Sequence, residues 1–218
     1  MTQQRENTVS WNNVTVVSVD VDGTLYPVKP VIRRLFLIAL WGILTFRFRM
    51  VFEELRSILH FYKHRQEIHS NGGDYNFEKP AHERNILLER TSRFMAHQVG
   101  NVGLHPGVKN TLERLKERGL KLVALSDHYS DAKLRALGVH TLFDRVYAAE
   151  ETGNLKPHPN GFLAVCKGES IKPEQLLHIG DRDETDGVGA RGIGAQALIL
   201  QKDFPSFTQF PLPNTTPE

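Results

Sequence analysis

The chain has 218 residues, 24% of them charged, and a net charge of +2 at neutral pH. This length can bury a substantial core and hold one domain with an insertion, and the near-balanced charge gives no reason to expect nucleic-acid binding. A single cysteine, Cys166, excludes an internal disulfide framework. Because residues 1–13 are polar, without a signal-peptide pattern, we expect a cytoplasmic protein.

The first predicted strand, residues 14–20, leads into a pair of acids. The six residues from Asp20 onward read DVDGTL. Residues i and i+2 of a strand share a face, so Asp20 and Asp22 can converge on one reacting centre. Gly23 and Thr24 then allow a sharp turn close to a ligand. Two ionised carboxylates this close repel each other, so a cation or a shared proton must offset their charge.

Residues 28–103 are a different kind of sequence. They are largely helical in pattern and too long for a connecting loop, which predicts an inserted all-α domain. The flanking residues 1–27 and 104–218 then form one discontinuous core. The insertion carries 12 Lys/Arg against 7 Asp/Glu. A basic lid of this kind would favour anionic substrates.

Within the insertion, residues 35–46 are apolar on all sides and are flanked by arginines. The run is too short to cross a bilayer, which takes about 20 apolar residues. We expect a buried helix of the insertion, packed internally or in a homodimer interface. Two alternatives stay open: a contact with a membrane surface, and a pocket for a substrate with an apolar tail.

The second half of the chain alternates helical and strand patterns. Predicted strands cover 121–126, 145–149, 176–180 and 195–200, and helical patterns over 108–118, 130–137 and 160–167 separate most of them. The helical pattern over 160–167 places Cys166 in the core. After Gln201 we expect a surface or disordered tail. The alternation predicts an α/β fold with a doubly wound parallel sheet.

Polar groups follow several of these strands. Ser126 ends one strand, Lys156 lies in a GNLKPHP loop after the next, and the strand over 176–180 runs into the acidic loop DRDETD, which contains Asp181 and Asp186. Ligands of open parallel sheets bind beyond the carboxyl ends of the strands. Carboxylate oxygens suit Mg2+, which needs few protein ligands and keeps several waters. The sequence therefore predicts one reactive centre at this edge.

The DVDGTL, Ser126, GNLKP and DRDETD motifs, in this order, resemble those of the haloacid dehalogenase (HAD) superfamily. The likeness is to phosphoglycolate-phosphatase-like members with a C1-type helical cap, which the insertion would form. The resemblance implies that Asp20 is a nucleophile that becomes phosphorylated and that Asp22 is a general acid/base. It also implies that Ser126 donates a hydrogen bond to the transferring phosphoryl group, while Lys156 neutralises charge there.

The resemblance further implies that Mg2+ is held by the Asp20 carboxylate, the Asp22 main-chain carbonyl and Asp181. Asp186 would support the site from outside by orienting water or Lys156. The other supporting candidates are Gly23, Thr24 and Asp183, the last of which could take part or simply be solvated. Related enzymes often carry Asn where this chain has Asp127, so we expect that side chain to point away from the phosphate.

Within this superfamily, the residue at position 22 separates two chemistries. Dehalogenase members lack an acid there, whereas an alkoxide leaving from phosphate benefits from a general acid. The resemblance thus favours a Mg2+-dependent hydrolase of a small or lipid-like phosphomonoester, acting through an aspartyl-phosphate. The alternatives are a phosphomutase or phosphotransferase, and a non-catalytic protein whose apolar cap binds a partner or a membrane.

Overall fold

The computed structural model describes residues 9–44 and 93–212. Its five strands are β1 (Val16–Val19), β2 (Lys121–Ser126), β3 (Arg145–Ala148), β4 (Leu176–Gly180) and β5 (Gln196–Ile199). They form one parallel sheet in the order β3-β2-β1-β4-β5. The predicted parallel α/β sheet is confirmed, and each strand boundary lies within two residues of its prediction.

Six helices accompany the sheet in the described residues. They are α1 (Val28–Leu44), α2 (93–102), α3 (Val108–Glu117), α4 (Asp131–Ala136), α5 (Asn160–Glu169) and α6 (Val188–Gly192). The spacing of apolar residues sets which face each helix buries. In α3 the buried positions are Val108, Thr111, Leu112 and Leu115, and in α5 they include Phe162, Val165 and Cys166. The core position predicted for Cys166 is confirmed.

The two faces of β1 belong to different apolar clusters. Val17 and Val19 pack with Leu112 of α3, whereas Val16 packs with Phe162 of α5. Alternate residues of a strand point to opposite faces, so the sheet carries a helical layer on each side. This is the doubly wound arrangement that the sequence predicted.

The strand order reverses at β1. Val19 pairs with Ala124 of β2 on one side and with Ile179 of β4 on the other. The residues that follow these three strands therefore emerge side by side at the carboxyl edge. Such a switch point is where open α/β sheets bind ligands.

The C-terminal residues differ from expectation. Phe204, Phe207 and Phe210 are buried, and Trp11 meets the Phe210 ring edge-on at 6.4 Å. The Thr111 hydroxyl also donates to the Phe207 carbonyl at 2.9 Å. The expected surface or disordered tail is thus wrong for this stretch. One aromatic residue in every three gives the tail an apolar face that covers α3.

Helix α1 is only partly buried. Val31 and Leu35 reach the core, but Phe36 is 67% exposed and Leu44 is 70% exposed. The outward face of this helix is therefore not buried within the chain, and its burial in a homodimer interface stays a prediction. No helix in the described ranges is both long enough and apolar enough to cross a bilayer. Residues 45–92, the middle of the predicted cap, lie outside the described residues.

Two glycines with similar backbone angles allow a test of the tail's packing. Gly107 has φ 88°, and an added Cβ would lie 2.6 Å from the Thr208 nitrogen, whereas Gly119 has φ 75° and no described atom within 4 Å. We expect Gly119→Ala to cost about 1 kcal/mol of unfolding free energy from backbone strain alone, and Gly107→Ala about 1–3 kcal/mol more. Urea unfolding measures both. If the two variants lost the same unfolding free energy, the packing of the tail against Gly107 would be contradicted.

Candidate active site

Lys156 lies at the centre of the site and is 1% exposed. Its Nζ is 2.6 Å from Asp20 Oδ1, which follows β1, and 2.6 Å from Asp186 Oδ1, which follows β4. Burying an ammonium is unfavourable unless anions surround it, and here two do. Three of the four sequence motifs provide the two acids and the lysine, and the sheet brings them together.

Asp20 is held through both carboxylate oxygens. The Thr24 hydroxyl donates to Oδ2 at 3.0 Å, and Lys156 contacts Oδ1. The Asp20 backbone N–H donates to the Ile179 carbonyl at 2.8 Å, so the residue still belongs to the sheet. Its carboxylate is therefore fixed in direction.

Asp186 belongs to a buried polar chain. Its Oδ1 is 3.3 Å from Nε2 of His178, whose Nδ1 is 2.8 Å from the Ser18 hydroxyl. The Arg182 N–H donates to Asp186 Oδ2 at 3.1 Å. Sequence reasoning missed His178. Its position inside an apolar strand was a usable signal, because a buried histidine needs hydrogen-bond partners.

Asp181 completes an acid cluster. Carboxylate oxygens of Asp20, Asp181 and Asp186 all lie within 4.8 Å of one another. Asp181 Oδ1 is buried and has no hydrogen-bond partner among the described residues. A Cβ on Gly23 would lie 2.2 Å from Asp181 Oδ2, so only glycine leaves room for this carboxylate. Three acids against one ammonium fit a divalent cation such as Mg2+.

The pKa shifts follow from burial and from the neighbouring charges. Burial raises the pKa of Asp181 to about 7, and Asp20 and Asp186 add to the rise. Burial also raises the pKa of Asp20, although Lys156 opposes it. For Asp186, burial acts in the same direction, but Lys156 and His178 outweigh it and hold the pKa low. Lys156 stays charged because Asp186 and Asp20 raise its pKa despite its burial.

Asp22 has a separate set of partners. The Nζ of Lys133, on α4, donates to both of its carboxylate oxygens, at 2.6 and 2.7 Å, and the Tyr26 hydroxyl donates to Oδ1. The two acids of the DVDGTL motif thus pair with different lysines, and Asp20 shares its lysine with Asp186. Sequence reasoning missed Lys133. Lys133 lies outside the four motifs, and no local sequence pattern marks it as a partner of Asp22.

Three other residues of the sequence motifs have the following positions. Ser126 is buried at the end of β2. Asp127 turns toward the Lys156 loop, where its Oδ1 accepts the Lys156 N–H at 3.0 Å. Asp183 is ion-paired with Arg191 and Lys202, outside the acid cluster. We therefore do not retain Asp183 as a supporting residue.

Comparison with known proteins gives one family. The family model of haloacid dehalogenase-like hydrolases matches residues 14–194. The glyceraldehyde 3-phosphate phosphatase of Methanopyrus kandleri is 34% identical over 101 residues, which are 45% of this chain and 43% of that protein. The phosphoglycolate phosphatase of Mannheimia succiniciproducens is 32% identical over 118 residues, 52% of each chain.

The chain spans about half the length of the curated relatives it matches. Among solved structures, a crystal structure described as a predicted phosphoglycolate phosphatase from Haemophilus somnus 129pt aligns with a TM-score of 0.59 and 21% identity. The alignment covers 88% of this chain and 87% of that one. At this identity the likeness shows the fold alone.

The raised pKa of Asp181 makes ion binding pH-dependent. A cation must displace the Asp181 proton, so we expect the apparent Mg2+ affinity to weaken about tenfold for each pH unit below about 7. In the metal-free protein the same shift lowers stability as the pH rises from about 4 to about 7, because the folded state favours protonated Asp181. The increase in melting temperature that Mg2+ produces, measured at several values from about pH 5.5 to about pH 8, reports the change in Mg2+ affinity.

The matched control for this measurement is Asp181→Asn, which cannot lose a proton. It should give a small Mg2+ shift that changes little with pH. An undiminished, pH-dependent shift in this variant would show that the ion binds elsewhere.

Proposed function

The chain belongs to the haloacid dehalogenase-like hydrolases, and on that premise we propose that it is a Mg2+-dependent phosphatase acting through a phosphorylated Asp20. The observation that carries this proposal is the buried Lys156 ammonium, 2.6 Å from the Asp20 carboxylate. Phosphoryl transfer needs a positioned nucleophile and fixed positive charge more than any other protein contribution. The contact between Asp20 and Lys156 supports both roles in this proposal.

In the first step, an Asp20 carboxylate oxygen attacks phosphorus. The bond from phosphorus to the ester oxygen breaks, and Asp22 transfers its proton to the departing alkoxide. Lys156 offsets the negative charge beside the nucleophile, and the Ser126 hydroxyl donates to a phosphoryl oxygen. The products of this step are the free alcohol and an acyl phosphate on Asp20.

In the second step, the Asp22 carboxylate accepts a proton from water. The water oxygen attacks phosphorus, the bond to Asp20 breaks, and inorganic phosphate leaves. Asp20 and Asp181, with the Asp22 main-chain carbonyl, would hold Mg2+, and Asp186 lies beside them. A bound ion supplies positive charge to the phosphoryl oxygens.

We further propose that residues 28–103 form a helical cap that selects the substrate. Both ends of this segment are anchored on the core, because Val31 of α1 and Val99 of α2 join the same buried cluster. Arg34 Nε also donates to Gln98 Oε1 at 3.5 Å, which links the two helices. The relatives are named for two different small phosphate esters, so the proposed substrate class is a small phosphorylated metabolite.

The nucleophile assignment predicts the behaviour of two matched variants. Asp20→Asn should lower phosphate release at least about a thousandfold, because an amide oxygen is a poor nucleophile. Asp183→Asn should stay within about threefold of wild type, since Asp183 pairs with Arg191 and Lys202 outside the cluster. Phosphate release from a panel of phosphomonoesters, with and without Mg2+, measures both.

Thermal unfolding should first confirm that both variants are folded. Substantial turnover by Asp20→Asn would contradict the mechanism. Isomerisation of a sugar phosphate without phosphate release would indicate the mutase instead. A folded wild-type protein that acts on no ester would favour a binding role.

The two-step mechanism also predicts a trapped intermediate. A nitrophenolate leaving group needs little protonation, so Asp22→Asn should still carry out the first step with p-nitrophenyl phosphate. The second step lacks its base, so the phosphorylated enzyme should accumulate. We expect a burst of nitrophenolate equal to the enzyme concentration. Intact mass spectrometry should show one added phosphoryl group, and this group should be absent when Asp20 is also replaced by Asn. Slow turnover with no burst and no adduct would argue against the covalent route.

A further inference from the structure

We propose that Lys133 is a positioning residue that holds Asp22 in the orientation needed to protonate the leaving group. This inference rests on the proposed phosphatase function. It assigns a role in that reaction to a residue outside the four sequence motifs.

The contact between the two residues restricts the Asp22 carboxylate. Lys133 Nζ lies 2.6 Å from Oδ1 and 2.7 Å from Oδ2, so rotation of the carboxylate would break at least one bond. The Tyr26 hydroxyl, from the same short loop, also donates to Oδ1. The two paired side chains are only 10% and 14% exposed, so water screens the contact weakly.

The placement of Lys133 has a cost that packing does not explain. Its neighbour Leu134 is fully buried and anchors α4 to the core, while Lys133 carries an ammonium into the same interior. A buried charge is unfavourable unless an opposite charge lies beside it. An apolar residue would pack there without this penalty. The Asp22 carboxylate is the feature that makes a lysine appropriate at this position.

A positioning role for Lys133 predicts that its loss affects different leaving groups to different extents. A general acid matters most when the leaving oxygen is strongly basic, as in an alkyl alcohol, and little when it is nitrophenolate. A residue that acts through Asp22 must therefore affect alkyl phosphates much more than p-nitrophenyl phosphate. A residue that only binds the phosphate group would affect both substrates alike.

The test compares Lys133→Met with Lys116→Met on p-nitrophenyl phosphate and on an alkyl phosphomonoester that the wild type hydrolyses. Lys116 pairs with Asp144 at 2.9 Å on the surface, so its loss controls for removing a lysine from an ion pair. We expect Lys133→Met to lose about a hundredfold in kcat on the alkyl ester and less than about tenfold on the nitrophenyl ester. Lys116→Met should stay within about threefold on both.

Two further variants protect the test against a folding defect. The double variant Lys133→Met/Asp22→Asn leaves no buried carboxylate unpaired, and on the alkyl ester it should be no slower than Asp22→Asn alone. Lys133→Arg keeps a cation that can contact both oxygens and should restore part of the lost rate. Additive losses in the double variant, or equal losses on the two esters, would overturn the proposal.

Crystal structures of wild type and Lys133→Met provide a measurement that does not depend on activity. The variant should lose the single Asp22 orientation while Lys156 stays within hydrogen-bond distance of Asp20. An unmoved, well-ordered Asp22 would overturn the positioning role. Failure of the wild type on every ester would instead refute the proposed function, and the crystallographic comparison would still decide whether Lys133 positions Asp22.

Discussion

The buried ammonium of Lys156, between Asp20 and Asp186, is the contact on which the rest of the site depends. Its three members come from three different loops at one edge of the sheet, so the parallel register must be correct before the charges can meet. Removing one partner of a buried ion pair typically costs about 3–5 kcal/mol, because an uncompensated charge stays behind. The ion pairs that orient Asp20 therefore depend on the correct folding of the sheet.

The charge balance around the two acids of the DVDGTL motif separates their roles. Asp20 shares Lys156 with Asp186, whereas Asp22 has Lys133 and Tyr26. In the proposed mechanism Asp20 must stay ionised while Asp22 gains and loses a proton, and separate partners allow both states side by side. Asp181 adds a third acid to the cluster, which leaves the site short of positive charge.

The sequence predicted the strands because alternating apolar runs and helical periods are local signals, and the motifs at the strand ends predicted Asp20, Lys156 and Asp181 as neighbours. It did not predict the contacts of residues outside these motifs. Lys133 and Asp22 are 111 residues apart. Within the acidic loop, composition cannot distinguish Asp183 from Asp186, since the turn over Asp183–Gly187 decides which side chain points inward. The tail was mispredicted because its prolines and threonines outweighed the regular phenylalanine spacing.

The loop that carries Asp22 also joins the core to the insertion. Helix α1 begins at Val28, two residues after Tyr26, which contacts the Asp22 carboxylate. Just after the insertion, the His105 backbone N–H donates to the Leu25 carbonyl at 2.8 Å. Any displacement of α1 relative to the sheet must therefore be absorbed within a few residues of Asp22. Asp22 is the acid/base of the proposed mechanism, so the position of α1 would bear directly on the proposed second step.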